Sequence, residues 1–125
     1  MNSKWLVCGA LVCLAIVVPA NVVPAPAQVD LNRFLVGKWH QEVGAMVAET
    51  VFTAGHAFTS LAWTRGTPYR TGASGRWEIK YGDQLWQYND ECSPDPCAVK
   101  SEGTKIEVID DDRIRNKFGV AYRMR

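Results

Sequence analysis

The chain has almost no excess of either charge. It carries 14 Lys and Arg against 13 Asp and Glu over 125 residues. A balance this close gives no electrostatic case for wrapping nucleic acid. Chemistry-bearing groups are also scarce, with two histidines and four cysteines in all. No nucleophile elbow and no local triad-like arrangement of Ser, His and Asp occurs. Beyond residue 27 no apolar run is long enough to cross a membrane as a helix. Beyond residue 35 no helical period is sustained. These absences leave a small all-β domain as the architecture to test.

The apolar run that does exist lies at the N-terminus. Lys4 precedes a nearly unbroken apolar stretch over residues 5–18, and Ala25-Pro26-Ala27 offers the small residues that a signal peptidase reads. Residues 1–27 are therefore expected to be a signal peptide, with Ala20 as a second possible end and a retained N-terminal anchor as the competing reading. Cys8 and Cys13 fall inside this leader and lack the small-residue box that lipidation needs. The expected mature domain spans residues 28–125, a length suited to one domain that buries roughly two-thirds of its unfolded surface. It is expected to be periplasmic or secreted, with no membrane span after cleavage.

Within the mature chain, residues 30–35 suit one helical turn with Asp30 as its N-cap. Alternation of period two then takes over. It predicts strands over 39–43, 49–53, 57–64, 76–81, 84–88, 104–109, 113–117 and 119–124. Gly55-His56, Gly82-Asp83 and Asp110-Asp111-Asp112 are expected as turns, and residues 65–75 as a long loop. About eight short strands joined by brief turns point to a sandwich or a closed antiparallel barrel. Closure is favoured because it removes exposed edges. Trp39, which opens the first strand, and Trp77 are expected to fill the interior.

Two cysteines, Cys92 and Cys97, remain in the mature chain, spaced Cys-Ser-Pro-Asp-Pro-Cys. In an oxidising compartment that spacing predicts a disulfide, and a metal pair is disfavoured because no further ligands lie nearby in sequence. His40, Glu42 and His56 would hold zinc only if the fold gathered them, and the plainer reading is solvated surface histidines. The three aspartates at 110–112 lack the alternate-position ligands of a calcium loop. No metal, cofactor or catalytic residue is expected.

Gly37-Lys38-Trp39 resembles the Gly-x-Trp opening of lipocalin-like (calycin) barrels. The wider layout is similar to short exported bacterial lipocalin-like proteins: a Phe-Thr-Ala-Gly-His-Ala-Phe hairpin at 52–58, then Gly75-Arg76-Trp77 at the start of a middle strand. The resemblance implies an up-and-down β-barrel in which a basic residue of the last strand packs over Trp39. Arg123 holds the comparable place, with Arg125 as the other candidate. Avidin-like barrels open on a similar Gly-x-Trp strand, and none of their biotin-binding residues is carried over to this chain. The chain is short for a full lipocalin and has no C-terminal helix, which argues against a roomy cavity.

The stretch best suited to recognition is residues 63–70, where Trp63, Arg65, Tyr69 and Arg70 stand on or beside the long loop. Aromatic and Arg residues are common anchors of binding surfaces, and loops on a rigid barrel commonly carry function. The competing reading places Trp63 in the core and Tyr69 over a barrel end. The expected function is non-enzymatic binding of a small apolar molecule or of an envelope or extracellular protein. A filled-core interaction or inhibitor protein acting through its loops is the alternative, and a hydrolase is the third reading.

Overall fold

The computed structural model describes residues 29–125, so the expected signal peptide, with Cys8, Cys13 and both cleavage positions, lies outside the described residues. Asp30 caps a single helical turn, α1 (Leu31–Phe34), by accepting from the Asn32 backbone N–H. Nine antiparallel strands follow: β1 (Gly37–Val43), β2 (Met46–Phe52), β3 (Ala57–Thr64), β4 (Arg70–Lys80), β5 (Gln84–Ser93), β6 (Ser101–Lys105), β7 (Glu107–Asp110), β8 (Arg113–Asn116) and β9 (Gly119–Met124). They form one sheet in the order β6-β5-β4-β3-β2-β1-β9-β8-β7. The sheet curls into a nearly closed barrel, and the all-β up-and-down expectation holds.

The strand count exceeds eight for a simple reason. β6 and β7 run in the same direction and are separated by Ile106 alone. The first half pairs with β5, from Lys105 opposite Gln84 to Ser101 opposite Tyr88. The second half pairs with β8, from Asp110 opposite Arg113 to Glu107 opposite Arg115. One long strand thus changes partner at Ile106, whose backbone N–H bonds to Asp83 O. It ties the two ends of the sheet together near the floor of the barrel and leaves a seam lined by Thr104 and Ile106 on one side and Asn116 and Lys117 on the other. Lys117 Nζ reaches across that seam to Glu102 at 2.7 Å.

The other departure concerns residues 65–75. The loop ends at Tyr69, and Gly72, Ala73, Ser74 and Gly75 lie within β4. Period-two alternation does not reveal a strand made of small residues, because neither face carries a distinctive side chain. Gly75 is there for space. A Cβ on Gly75 would stand 1.8 Å from Tyr88 O, beside the register shift between Ser74 and Gly75. β5 likewise extends beyond residue 88 to Ser93 and carries Cys92 within it.

The core sits toward the floor, where α1 closes the barrel. Leu31 and Leu35 of the helical segment pack with Trp39, Phe52, Phe58 and Trp77, all buried. Trp39 Nε1 donates to Leu35 O at 3.0 Å and Trp77 Nε1 to Thr53 O at 3.2 Å, so neither buried indole leaves its donor unpaired. Gly37 has φ +137°, a value that glycine adopts without strain, and the Arg123 guanidinium packs directly against it.

Candidate functional site

Consecutive turns of an up-and-down barrel alternate between its two ends. The turns at 53–56, 81–83 and 111–112 share the floor with α1, while those at 44–45, 65–69, 94–100 and 117–118 form the opposite rim. Inward positions near that rim enclose a cavity of about 180 Å³. Trp39, Phe52, Leu85 and Ile106 form its deep end, and Asn116, Phe118 and the Glu102–Lys117 pair stand at its mouth. Thr104, Ile106, Asn116 and Lys117 also line the seam, so the cavity and the seam meet.

The polar groups facing the cavity are few and mostly committed. Gln41 Nε2 donates to Asn116 Oδ1 at 3.0 Å, and Asn116 Nδ2 returns a bond to Gln41 Oε1 at 3.1 Å. Asn116 Oδ1 also accepts from the Phe118 backbone N–H, which shapes the rim turn. Thr50 and Ser60 bond to one another at 3.0 Å. Gln87 lines the cavity from β5, on the same face as buried Leu85 and paired in register with buried Trp77. Glu102 and Lys117, half exposed and joined, are the charged side chains in the lining.

Trp63, Arg65, Tyr69 and Arg70 are brought to one side of the rim, outside the cavity lining. Trp63 lies opposite Arg70 in the β3–β4 register, and the Arg70 guanidinium sits 5.7 Å from the indole centroid. Phe58, Ser60 and Ala62 take the inward positions of β3, which turns Trp63 outward, half-buried, rather than into the core. Arg65 binds Gly44 O at 3.0 Å and the Glu42 carboxylate, and so clamps its loop to the β1–β2 turn. Tyr69 is 60% exposed and does not fold back over the barrel end. Three of the four residues thus brace the rim, and Tyr69 is the one left projecting.

Cys92 and Cys97 lie with their sulfurs at bonding distance, which closes the 93–96 segment into an exposed staple at the same rim. A cross-link of this kind belongs to an oxidising, non-cytoplasmic setting. His40 and His56 are held apart. His56 stacks edge-on against Trp77 in a floor turn, with ring centroids 4.5 Å apart. His40 lies on the outer face of β1, where Nε2 meets Glu42 at 2.8 Å and Nδ1 meets Glu49 at 3.2 Å. The carboxylates approach opposite ring nitrogens, so the three groups do not converge on a common point, and among the described residues no metal-holding cluster forms. The Glu42 and Glu49 contacts hold the His40 pKa above its ordinary value, while the His40 hydrogen bond holds both carboxyls below theirs.

Sequence alone did not single out Gln41, Gln87, Asn116 or Phe118. Gln41 shares the face of Trp39, Gln87 that of Leu85 and Asn116 that of Ile114, while Phe118 sits in the rim turn, and the cavity itself depends on how the strands are arranged around it.

Fold and cavity together define a small antiparallel β-barrel with a narrow, mixed-polarity interior that opens at one rim. The chain is similar in fold to a protein from Bacteroides thetaiotaomicron VPI-5482 solved by NMR, with a TM-score of 0.54 and 10% identity over 81% of this chain and 100% of that one. No family model and no curated protein matches the chain in sequence.

Proposed function

We propose that this is an exported, non-enzymatic binding protein of lipocalin-like build that holds a small, largely apolar molecule inside its barrel. The cavity carries the reading: it is bounded by Trp39, Phe52, Leu85 and Ile106 and meets both the rim and the seam. Concave, mostly apolar sites with a few placed polar groups are the usual form of small-molecule sites. The Gly37-x-Trp39 opening and the packing of Arg123 over Trp39 support the lipocalin-like assignment. The expected leader and the Cys92–Cys97 cross-link support export.

Native mass spectrometry of protein purified from its source tests the reading. A retained mass that the denatured protein lacks, and that Ala48→Leu abolishes by filling the cavity, is the expected result. An empty barrel from source, with no retained mass, counts against it.

A second reading has its own support. The stapled 93–96 segment and the projecting Tyr69 share one rim, as expected of a protein that acts on an envelope or extracellular partner through its loops. Specific pull-down that Tyr69→Ala weakens and Ala48→Leu leaves intact would favour it.

A further inference from the structure

We infer that the interior cavity is built for an uncharged molecule of single-ring size that presents an amide-type edge to Gln87. The inference rests on the small-molecule reading above and specifies the ligand. Size comes first. A dry apolar cavity of about 150 Å³ accepts benzene, so a cavity of about 180 Å³ accommodates one ring with a small substituent, and any larger molecule has to protrude through the rim or the seam.

Charge comes second. Glu102 and Lys117, the charged residues of the lining, neutralise one another at 2.7 Å. Nothing deeper in the cavity compensates a ligand charge, and burying one without compensation is strongly unfavourable.

Polarity comes third. Gln41 and Asn116 are spent on each other, and Thr50 on Ser60. Among the described residues the Gln87 side chain makes no hydrogen bond within the protein, although it faces the cavity between Leu85 and the seam wall. Its amide offers two donors and an acceptor on one planar group. A carboxamide, lactam or cyclic imide presents the matching donor and acceptor side by side. A hydrocarbon of the same size would leave the Gln87 amide unpaired, and sites built to bond a polar group reject such analogues. The deep apolar end against Trp39 and Ile106 takes the ring, with the amide edge turned to β5.

Three probes of near-equal size separate these features: benzamide, benzoate and cumene, each titrated at pH 7 and followed by two-dimensional NMR of the labelled protein. Benzamide is expected to bind at least tenfold more tightly than benzoate or cumene and to shift the Gln87 side-chain amide. Gln87→Leu is expected to remove the preference for benzamide while keeping or improving cumene binding. If Gln87→Leu does not fold, Gln87→Met makes the same comparison. Benzoate or cumene binding as tightly as benzamide, or a preference that survives loss of the Gln87 amide, overturns the inference and leaves the cavity reading standing. Binding of none of the three probes by the wild-type protein overturns both.

Discussion

The guanidinium of Arg123 lies 4.4 Å from the ring centroid of Trp39 and donates to Phe34 O at 2.8 Å and Val36 O at 3.1 Å. One side chain of the last strand thereby fastens the segment that precedes the first strand. Trp39→Ala is expected to cost roughly 3–5 kcal/mol, as deletions of buried aromatic rings do. Arg123→Met keeps apolar volume over the indole but loses the charged hydrogen bonds and the cation–π contact, at about 2 kcal/mol. Denaturant unfolding checks both. A Trp39→Ala protein that unfolds at the parent's midpoint would remove the anchor role.

Gly103 lies beneath Trp86, and a Cβ there would come within 2.4 Å of the indole. Gly103→Ala is expected to push the ring off the β5–β6 pair and to destabilise the protein by about 1–3 kcal/mol, the usual range for overpacking. The double variant Gly103→Ala, Trp86→Ala should recover part of that loss, because the clash then has no second member. Thermal melts of the four proteins provide the cycle.

His40 gives stability a pH dependence with a definite sign. Its folded pKa is raised by Glu42 and Glu49, so its contribution is fully present below the unfolded value of about 6.5 and is lost as pH rises through the folded value. The two carboxyls are lowered, so their contribution is present above the unfolded value of about 4.3 and is lost as pH falls through the folded values. The cluster therefore contributes most between these limits. The melting temperature of His40→Gln should fall less than that of the parent between pH 6 and pH 8. Parallel curves for the two proteins would show that the cluster is inert.

Mass measurement before and after reduction is expected to differ by two hydrogens, from the Cys92–Cys97 bond. Closing so short a loop stabilises by about 2 kcal/mol in the chain-entropy account. The Cys92→Ser, Cys97→Ser protein should unfold correspondingly earlier. Two thiols that alkylate without reductant would mean that the pair is open in the mature protein.

The rim residues separate by their contacts. Tyr69→Ala is expected to leave the melting temperature unchanged, since the ring projects into solvent. Arg70→Ala exposes one face of Trp63 and should lower stability by about 0.5–1 kcal/mol, the range for an exposed cation–π pair. Equal effects from the two substitutions would contradict this division.

Much of the fold was legible because it depends on local pattern. Alternation located β1, β3 and β9, and the aspartate run at 110–112 marked the turn between β7 and β8. The start of β4 was hidden because residues 72–75 are small, and Gly75 answers to a close strand approach rather than to a hydrophobic face. The rim segment at residues 63–70 was identifiable from composition, but its internal use was not. Arg65 and Arg70 find their partners at Glu42, Gly44 and Trp63, which only the register brings near. Gln87 carries no sequence signal beyond its phase, and its significance arises from the pairing of its polar neighbours with one another.

The change of partner at Ile106 also bears on self-association. Open sheets are hazardous because two unpaired margins on different strands let molecule after molecule join edge to edge. Here both margins belong to a single ten-residue stretch, five residues of β6 and four of β7 on either side of Ile106. Each is short, and the β6 margin looks across the seam toward Asn116 and Lys117. A neighbour docking on one margin has no distant second margin from which to continue the ribbon, so growth into a fibre is stopped by connectivity rather than by surface charge.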